Sequence, residues 1–283
     1  MDHPQALPIT HLSLCTGYGG IDLGLKRVLG NLRSIAYCER EAFAVANLLA
    51  KIEGGFLDPA PIWTDLKSFP WEDFRGSVDL LSGGYPCQPF SNAGQRRGKD
   101  DPRHLWPWIL DGIRIIRPGY CFFENVDGHI ERGLQTVIGD LEREGYQVEV
   151  GLFTAAEVGL PHQRKRIFIL AKLADTDCIR PSNPSSQIES AEAGVDALRM
   201  SWASSPDRLD QLPARPQERQ HQWEEPRTLE PFLGGNSDGT SSRLVIAFRE
   251  DRLHLLGNGV VPQVAAVAFW HLLCKLHHLS PTP

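Results

Sequence analysis

The 283 residues carry a formal net charge of −6, with 41% hydrophobic and 23% charged side chains, the balance of an ordinary globular chain rather than a disordered or fibrous one. No run of about eighteen apolar residues occurs, which excludes a membrane-spanning helix. The opening MDHPQALPITHLSLC lacks a basic stretch leading into an apolar one, so a cytoplasmic protein without secretory signal is expected.

Residues 9–15 read as a strand, followed by the glycine-rich Cys15-Thr16-Gly17-Tyr18-Gly19-Gly20 and a helix over 21–29. Glycines let the backbone turn tightly and approach a ligand where a Cβ would intrude. A second strand, 34–38, ends at Glu39, about where a nucleotide-binding fold places the carboxylate that accepts from ribose hydroxyls. The glycine spacing departs from GxGxxG, which favours a nucleoside cofactor other than NAD; a tight turn with no ligand is the alternative. A helix over 42–51 comes next.

Residues 78–81 form the next candidate strand, and directly after it comes Gly83-Gly84-Tyr85-Pro86-Cys87-Gln88-Pro89-Phe90-Ser91. A loop at the carboxyl end of a sheet strand is where α/β enzymes place their chemistry. Two prolines stiffen this loop around the sulfur, and a thiol becomes a strong nucleophile once neighbouring cations or dipoles lower its pKa. A lone cysteine without these flanks would more often be structural. The five other cysteines (Cys15, Cys38, Cys121, Cys178, Cys274) show no metal-ligand spacing, so no metal site is expected and small buried hydrophobes are the default.

A helix over 105–116 leads to a strand over 120–124, ending in Glu124-Asn125-Val126. An acid just after a buried aromatic strand can have a raised pKa and so donate a proton; a surface charge or helix cap is the bland alternative. A helix over 134–144 and strands over 148–153 and 166–171 complete the alternation, which indicates a parallel α/β sheet covered by helices on both faces. Thr154 and Glu157 have capping-box spacing. His162-Gln163-Arg164-Lys165-Arg166 precedes the last strand; on an extended segment Arg164 and Arg166 share one side, able to make bidentate contacts or to form a solvated basic edge. It is one of two basic clusters, with Gln95-Arg96-Arg97-Gly98-Lys99, that could offer phosphate contacts despite the negative total. From about 173 to 243 the chain turns proline-rich and loses period, the mark of an irregular small domain or an insertion. An amphipathic helix over 260–276 closes it.

Taken together, these segments resemble the cytosine-5 DNA methyltransferase family. The loop around Cys87 is similar to its catalytic loop, Glu124-Asn125-Val126 to its acid motif, Arg164-x-Arg166 to its paired arginines, and Gly257-Asn258-Gly259-Val260-Val261-Pro262 to its C-terminal cofactor motif, in the family's order. The resemblance implies a Rossmann-like S-adenosylmethionine-dependent sheet with a small irregular target-recognition region. It divides the chain into a catalytic, cofactor-binding part (1–172), a recognition region (173–245) and a C-terminal segment returning to the catalytic domain (246–283).

It further implies a monomer acting on double-stranded DNA, of a compact phage or restriction-modification type. A cytosine flipped from the duplex would be attacked at carbon 6 by Cys87 while Glu124 helps protonate nitrogen 3. Arg164 would contact the cytosine carbonyl and Arg166 would orient Glu124. The cofactor would lie along Cys15, Gly17, Tyr18, Gly19 and Gly20, with Glu39 on its ribose, Asp65 and Leu66 at its adenine, and Pro86, Leu105, Asn258 and Val260 closing the methionine end. Cys15 stands where the family usually has Phe, Tyr85 where it has Pro, and Gly259 where it has Ser. The same catalytic residues would serve an RNA cytosine methyltransferase or persist in a catalytically impaired DNA-binding relic.

Overall fold

The computed structural model describes residues 8–86, 105–160, 164–173, 255 and 257–278; Cys87 and residues 174–245 of the expected recognition region lie outside them. In chain order the elements are β1 (Ile9–Leu14), α1 (Gly20–Val28), β2 (Leu32–Cys38), α2 (Ala42–Glu53), β3 (Ile62–Trp63) and β4 (Leu80–Gly83). Then come α3 (Trp106–Ile116), β5 (Tyr120–Val126), α4 (His129–Arg132), α5 (Leu134–Arg143), β6 (Tyr146–Thr154), β7 (Lys165–Leu173) and α6 (Pro262–Leu276). The strands form one sheet in the order β3-β2-β1-β4-β5-β7-β6.

Both faces of the sheet are covered, and the strand sequences say why. Along β5, Tyr120 and Phe122 join the core beneath α1 and α6, while Cys121 and Phe123 join the core beneath α3 and α5. A strand buried on both sides must be apolar at every position. Phe122 stacks on Phe168 of β7 at 5.5 Å and meets Phe269 of α6 edge-on at 5.2 Å, welding the C-terminal helix to the sheet. Helix α1 approaches α6 so closely that a Cβ on Gly24 would lie 2.5 Å from the Pro262 carbonyl oxygen and 2.8 Å from Ala265 Cβ. Helix α6 begins with Pro262 in its first turn after an extended Val261, as proline's lack of N–H and its effect on the preceding residue require.

The sheet is not parallel throughout, which corrects the sequence expectation. Strand β7 runs antiparallel to both β5 and β6. Only a short connection separates β6 from β7, including a 3-10 turn over Ala156–Val158, whereas a parallel crossover needs a dozen or more residues. That turn is capped as its sequence indicated: the Thr154 amide donates to Glu157 Oε2 at 2.8 Å and the Glu157 amide to Thr154 Oγ1 at 3.3 Å. The basic segment therefore opens an interior strand rather than an edge.

A buried polar cluster sits in the sheet centre. His11 on β1 lies 3.0 Å from Ser34 Oγ on β2 and 2.8 Å from Ser82 Oγ on β4. Burial pushes its imidazole down to about 3, so it stays neutral and its two nitrogens join three adjacent strands. Ser13 donates to Asp22 Oδ2 at 3.0 Å, tying β1 to α1 directly below the glycine-rich turn.

Candidate active site

Strand order reverses at β1: the chain steps from β1 to β2 and β3 on one side, then returns to β4 and β5 on the other. In sheets of this kind the crevice at the carboxyl ends of the strands flanking such a switch point receives the ligand. The registers pair Leu14 with Cys38, Leu14 with Gly83, and Gly83 with Phe123. The next residues along the same edge are therefore Cys15, Glu39, Gly84 and Glu124, and Cys87 comes three positions after Gly84 in the sequence.

The turn after β1 holds three residues in the left-handed region, Cys15 (φ 47°), Gly17 (φ 58°) and Gly19 (φ 82°). At Gly17 nothing lies within 4 Å of where a Cβ would stand, so conformation and not space demands glycine there. At Gly20 the reverse holds, because a Cβ would fall 2.0 Å from the Val260 carbonyl oxygen. Glu39 is nearly buried; its Oε2 accepts from the Gly17 amide at 2.6 Å and its Oε1 from the Glu41 amide at 2.8 Å. A carboxylate has about four lone-pair sites, so Glu39 keeps acceptor capacity beyond these two amides. Burial raises the thiol pKa of Cys15, and the neighbouring Glu39 raises it further; this sulfur is an inert wall atom.

Tyr18 ties the turn to the C-terminal segment: its hydroxyl donates to the Val260 carbonyl, while Lys51 Nζ donates to the Tyr18 carbonyl at 2.7 Å. A Cβ on Gly259 would overlap the Tyr18 ring, at 1.9 Å from Cε1. Glycine at position 259 is thus matched to a tyrosine in the turn.

Glu124 lies near the end of the buried part of β5 with 6% of its surface exposed, followed by the buried Asn125. Desolvation pushes its carboxyl up to about 7, against the opposing pull of Arg166 and Arg164. Arg166 stands opposite Val126 on β7, diagonal to Glu124 on the same face, and its Nε reaches Glu124 Oε1 at 2.9 Å. Arg164 Nη2 donates to the carbonyls of Gly257, at 2.8 Å, and Gly259; its Nε is buried and makes no hydrogen bond among the described residues. In the structure, then, Arg166 meets the acid and Arg164 fastens the returning C-terminal segment.

The remaining expected residues divide. Gly84, Glu124 and Val260 come together, since a Cβ on Gly84 would sit 3.3 Å from Glu124 Oε2 and 3.9 Å from Val260 Cγ2. Asp65 is near the same edge, two residues beyond Trp63, whose carbonyl accepts from the Glu39 amide at 2.9 Å. It is exposed, and its Oδ1 accepts from the Lys67 amide at 3.0 Å. Leu66 is buried in the core and Leu105 packs against it at the start of α3. Pro86 and Asn258 are exposed. Lys51 and His129 belong to the site's support yet stand in no motif; each acts across a distance that local spacing does not encode.

The sequence model of the C-5 cytosine-specific DNA methylase family matches residues 9–225, more than half of the chain and all four strands that carry the site's edge. The chain belongs to this family. Among its relatives are the type II methyltransferase M.AplI of Arthrospira platensis, 33% identical over 164 residues, and M.NgoMIV of Neisseria gonorrhoeae, 30% identical over 190. Those alignments cover 56% and 64% of this chain but only 44% and 57% of the relatives, so the chain spans about half of their length. The Dnmt2 methyltransferase of S. pombe superposes with a TM-score of 0.50 at 22% identity, over 63% of this chain and 57% of that one. At that identity it shows the fold alone: a Rossmann-like methyltransferase sheet.

Proposed function

We propose that this family member transfers a methyl group from S-adenosylmethionine to carbon 5 of a cytosine in double-stranded DNA, with Cys87 as covalent nucleophile. The observation that carries the reading is Glu124: a buried carboxyl with its pKa near 7, oriented by Arg166, on the strand edge where the loop bearing Cys87 begins. A protonated acid in a dry site is what ring nitrogen 3 requires when a thiolate adds to carbon 6. The new C–S bond pushes the ring electrons toward carbon 5, and Glu124 stabilises the added charge through nitrogen 3. Carbon 5 takes the methyl group, and loss of its proton to a base then expels Cys87 as thiolate.

The residues of the first turn fit the cofactor. Gly17 leaves open space above a left-handed backbone, and Glu39 retains acceptor capacity at the end of β2. When bound, S-adenosylmethionine supplies the electrophilic methyl group. Cys15, Gly17, Tyr18, Gly19, Gly20 and Glu39 would hold its nucleoside, with Asp65 and Leu66 toward adenine and Pro86, Leu105, Asn258 and Val260 toward the methionine end. Cys87, Glu124, Arg164 and Arg166 would form the catalytic set. Residues 173–245 would read the DNA, between a catalytic part (1–172) and a returning segment (246–283). The protein would work as a monomer in the cytoplasm, in a restriction-modification setting like that suggested by its type II relatives; no helix among the described residues is long and apolar enough to cross a membrane.

The test is trapping on DNA carrying 5-fluorocytosine, with the methyl donor present, at a site first mapped by bisulfite sequencing in cells expressing the protein. Wild type should form a stable adduct and Cys87→Ala none, with cofactor affinity kept. Trapping that survives Cys87→Ala, or methyl incorporation confined to structured RNA, would overturn the assignment.

A further inference from the structure

Tyr85, which leads into the catalytic loop, is held at two points by residues at and just beyond the end of β5. Asn125, next to Glu124, donates from Nδ2 to the Tyr85 carbonyl at 3.0 Å. The Tyr85 hydroxyl lies 3.0 Å from His129 Nε2 at the start of α4. Both rings are nearly buried, and Tyr85 packs between Trp106 at 5.3 Å and Phe123 at 5.8 Å. Trp106 is itself fixed by a 2.8 Å bond from Nε1 to Asp140 Oδ2. Tyr85 is thus restrained at main chain, ring and hydroxyl.

We infer that the Tyr85–His129 pair is a positioning device for the nucleophile, fixing the root of the Cys87 loop relative to Glu124. Only Pro86 separates Tyr85 from Cys87, and its ring locks φ. Two Cα steps of about 3.8 Å span the interval, so the placement of Tyr85 limits where the loop can start. Glu124 lies on β5, and His129 opens α4 a short turn after that strand ends. The pair therefore sets nucleophile and acid against one common frame. Burial holds the imidazole down at about 4; it is neutral at working pH, and its hydrogen bond to the phenol carries no charge that would disturb Glu124. Among the described residues, His129 reaches the root of the loop through the Tyr85 hydroxyl.

This inference rests on the methyltransferase reading, so its test separates the two. Single-turnover methyl transfer at saturating cofactor is compared for wild type, Tyr85→Phe, His129→Leu and His129→Gln, with cofactor affinity from calorimetry and hydrogen exchange at the Tyr85 amide. Misplacement by about 1 Å can cost on the order of 100-fold in rate. His129→Leu and Tyr85→Phe should lose at least about tenfold in the single-turnover rate with cofactor affinity unchanged. His129→Gln, which keeps a hydrogen-bonding group at that height, should recover most of the loss. Tyr85 amide exchange should accelerate in His129→Leu and not in His129→Gln.

Equal rates in His129→Leu and wild type, or equal losses in His129→Leu and His129→Gln, would overturn the positioning role. If wild type itself methylates nothing, the functional reading falls. The exchange comparison then still decides whether His129 anchors the loop root, and unaltered exchange in His129→Leu sinks that too.

Discussion

Replacing Arg166 with methionine removes the guanidinium 2.9 Å from Glu124 Oε1 and keeps most of the aliphatic stem. In the wild type, burial lifts the folded-state carboxyl from 4.5 to about 7 while Arg166 pulls it back. A raised carboxyl contributes stability that is complete below its unfolded pKa and is lost as pH rises to the folded pKa. Above about 7 both states of the wild type are ionised and the contribution levels off. In Arg166→Met the folded carboxyl keeps its proton to higher pH, so the loss continues. The two stability curves should run parallel between about pH 5 and 6.5, offset by the ~1 kcal/mol of a lost hydrogen bond. Above pH 7 they should diverge, by at most about 1.4 kcal/mol per pH unit, until the variant's carboxyl also ionises. Urea unfolding at fixed ionic strength measures this directly. A gap that stays constant across pH 7 would refute the claim that Arg166 sustains the Glu124 charge.

Glu39→Ala deletes the acceptor of two backbone amides at the cofactor turn; calorimetry should show S-adenosylmethionine binding weaker by ~1–3 kcal/mol, with unchanged affinity placing the ribose elsewhere. Gly259→Ser puts an atom into the Tyr18 ring and should cost ~1–3 kcal/mol in urea unfolding. Tyr18→Ala should relieve most of that cost in the double variant, and full additivity of the two changes would count against the contact. The buried titrating groups oppose one another: His11 and His129, lowered to about 3 and about 4, lose stability as pH falls from 6.5, whereas Asp22 and Glu124, raised to about 6 and about 7, gain it. Their sum is near zero between pH 6 and 4.5, so His129→Leu should gain about 1.4 kcal/mol per pH unit on wild type over that interval; identical slopes would mean His129 is protonated in the folded state.

What the sequence disclosed was governed by local rules. The turn after β1 was legible because left-handed backbone at Gly17 and Gly19 selects glycine, and β5 because a strand covered on both faces must read Tyr-Cys-Phe-Phe. The Thr154–Glu157 box was legible because both partners lie within one turn. Three features had no such signal. β3 is two residues long and owes its existence to pairing with Tyr37 and Cys38. The direction of β7 depends on how short its connection to β6 is, not on its own apolar run. The Lys51 bond to the Tyr18 carbonyl and the Tyr85–His129 pair join residues in different elements, and nothing in either neighbourhood marks its partner.

The same distinction explains how the site is assembled. Glu39 and Glu124 lie at strand ends that local sequence can define, but their orientation comes from elsewhere in the chain. Glu124 owes its orientation to Arg166 across a strand pair, and the cofactor turn is closed by Val260, 242 positions from Tyr18. The C-terminal segment is in turn fixed by Arg164 through the carbonyls of Gly257 and Gly259. One arginine of the pair thus sets Glu124 and the other holds the C-terminal segment beside the glycine-rich turn, from positions two residues apart in the chain. Any shift of β7 against β5 must therefore disturb acid and crevice together. Arg164→Met should chiefly weaken cofactor binding, removing only the lesser of the two pulls on the Glu124 carboxyl, and Arg166→Met should chiefly move the Glu124 titration to higher pH. If both substitutions instead produced the same pair of defects, the two arginines would have no separable roles.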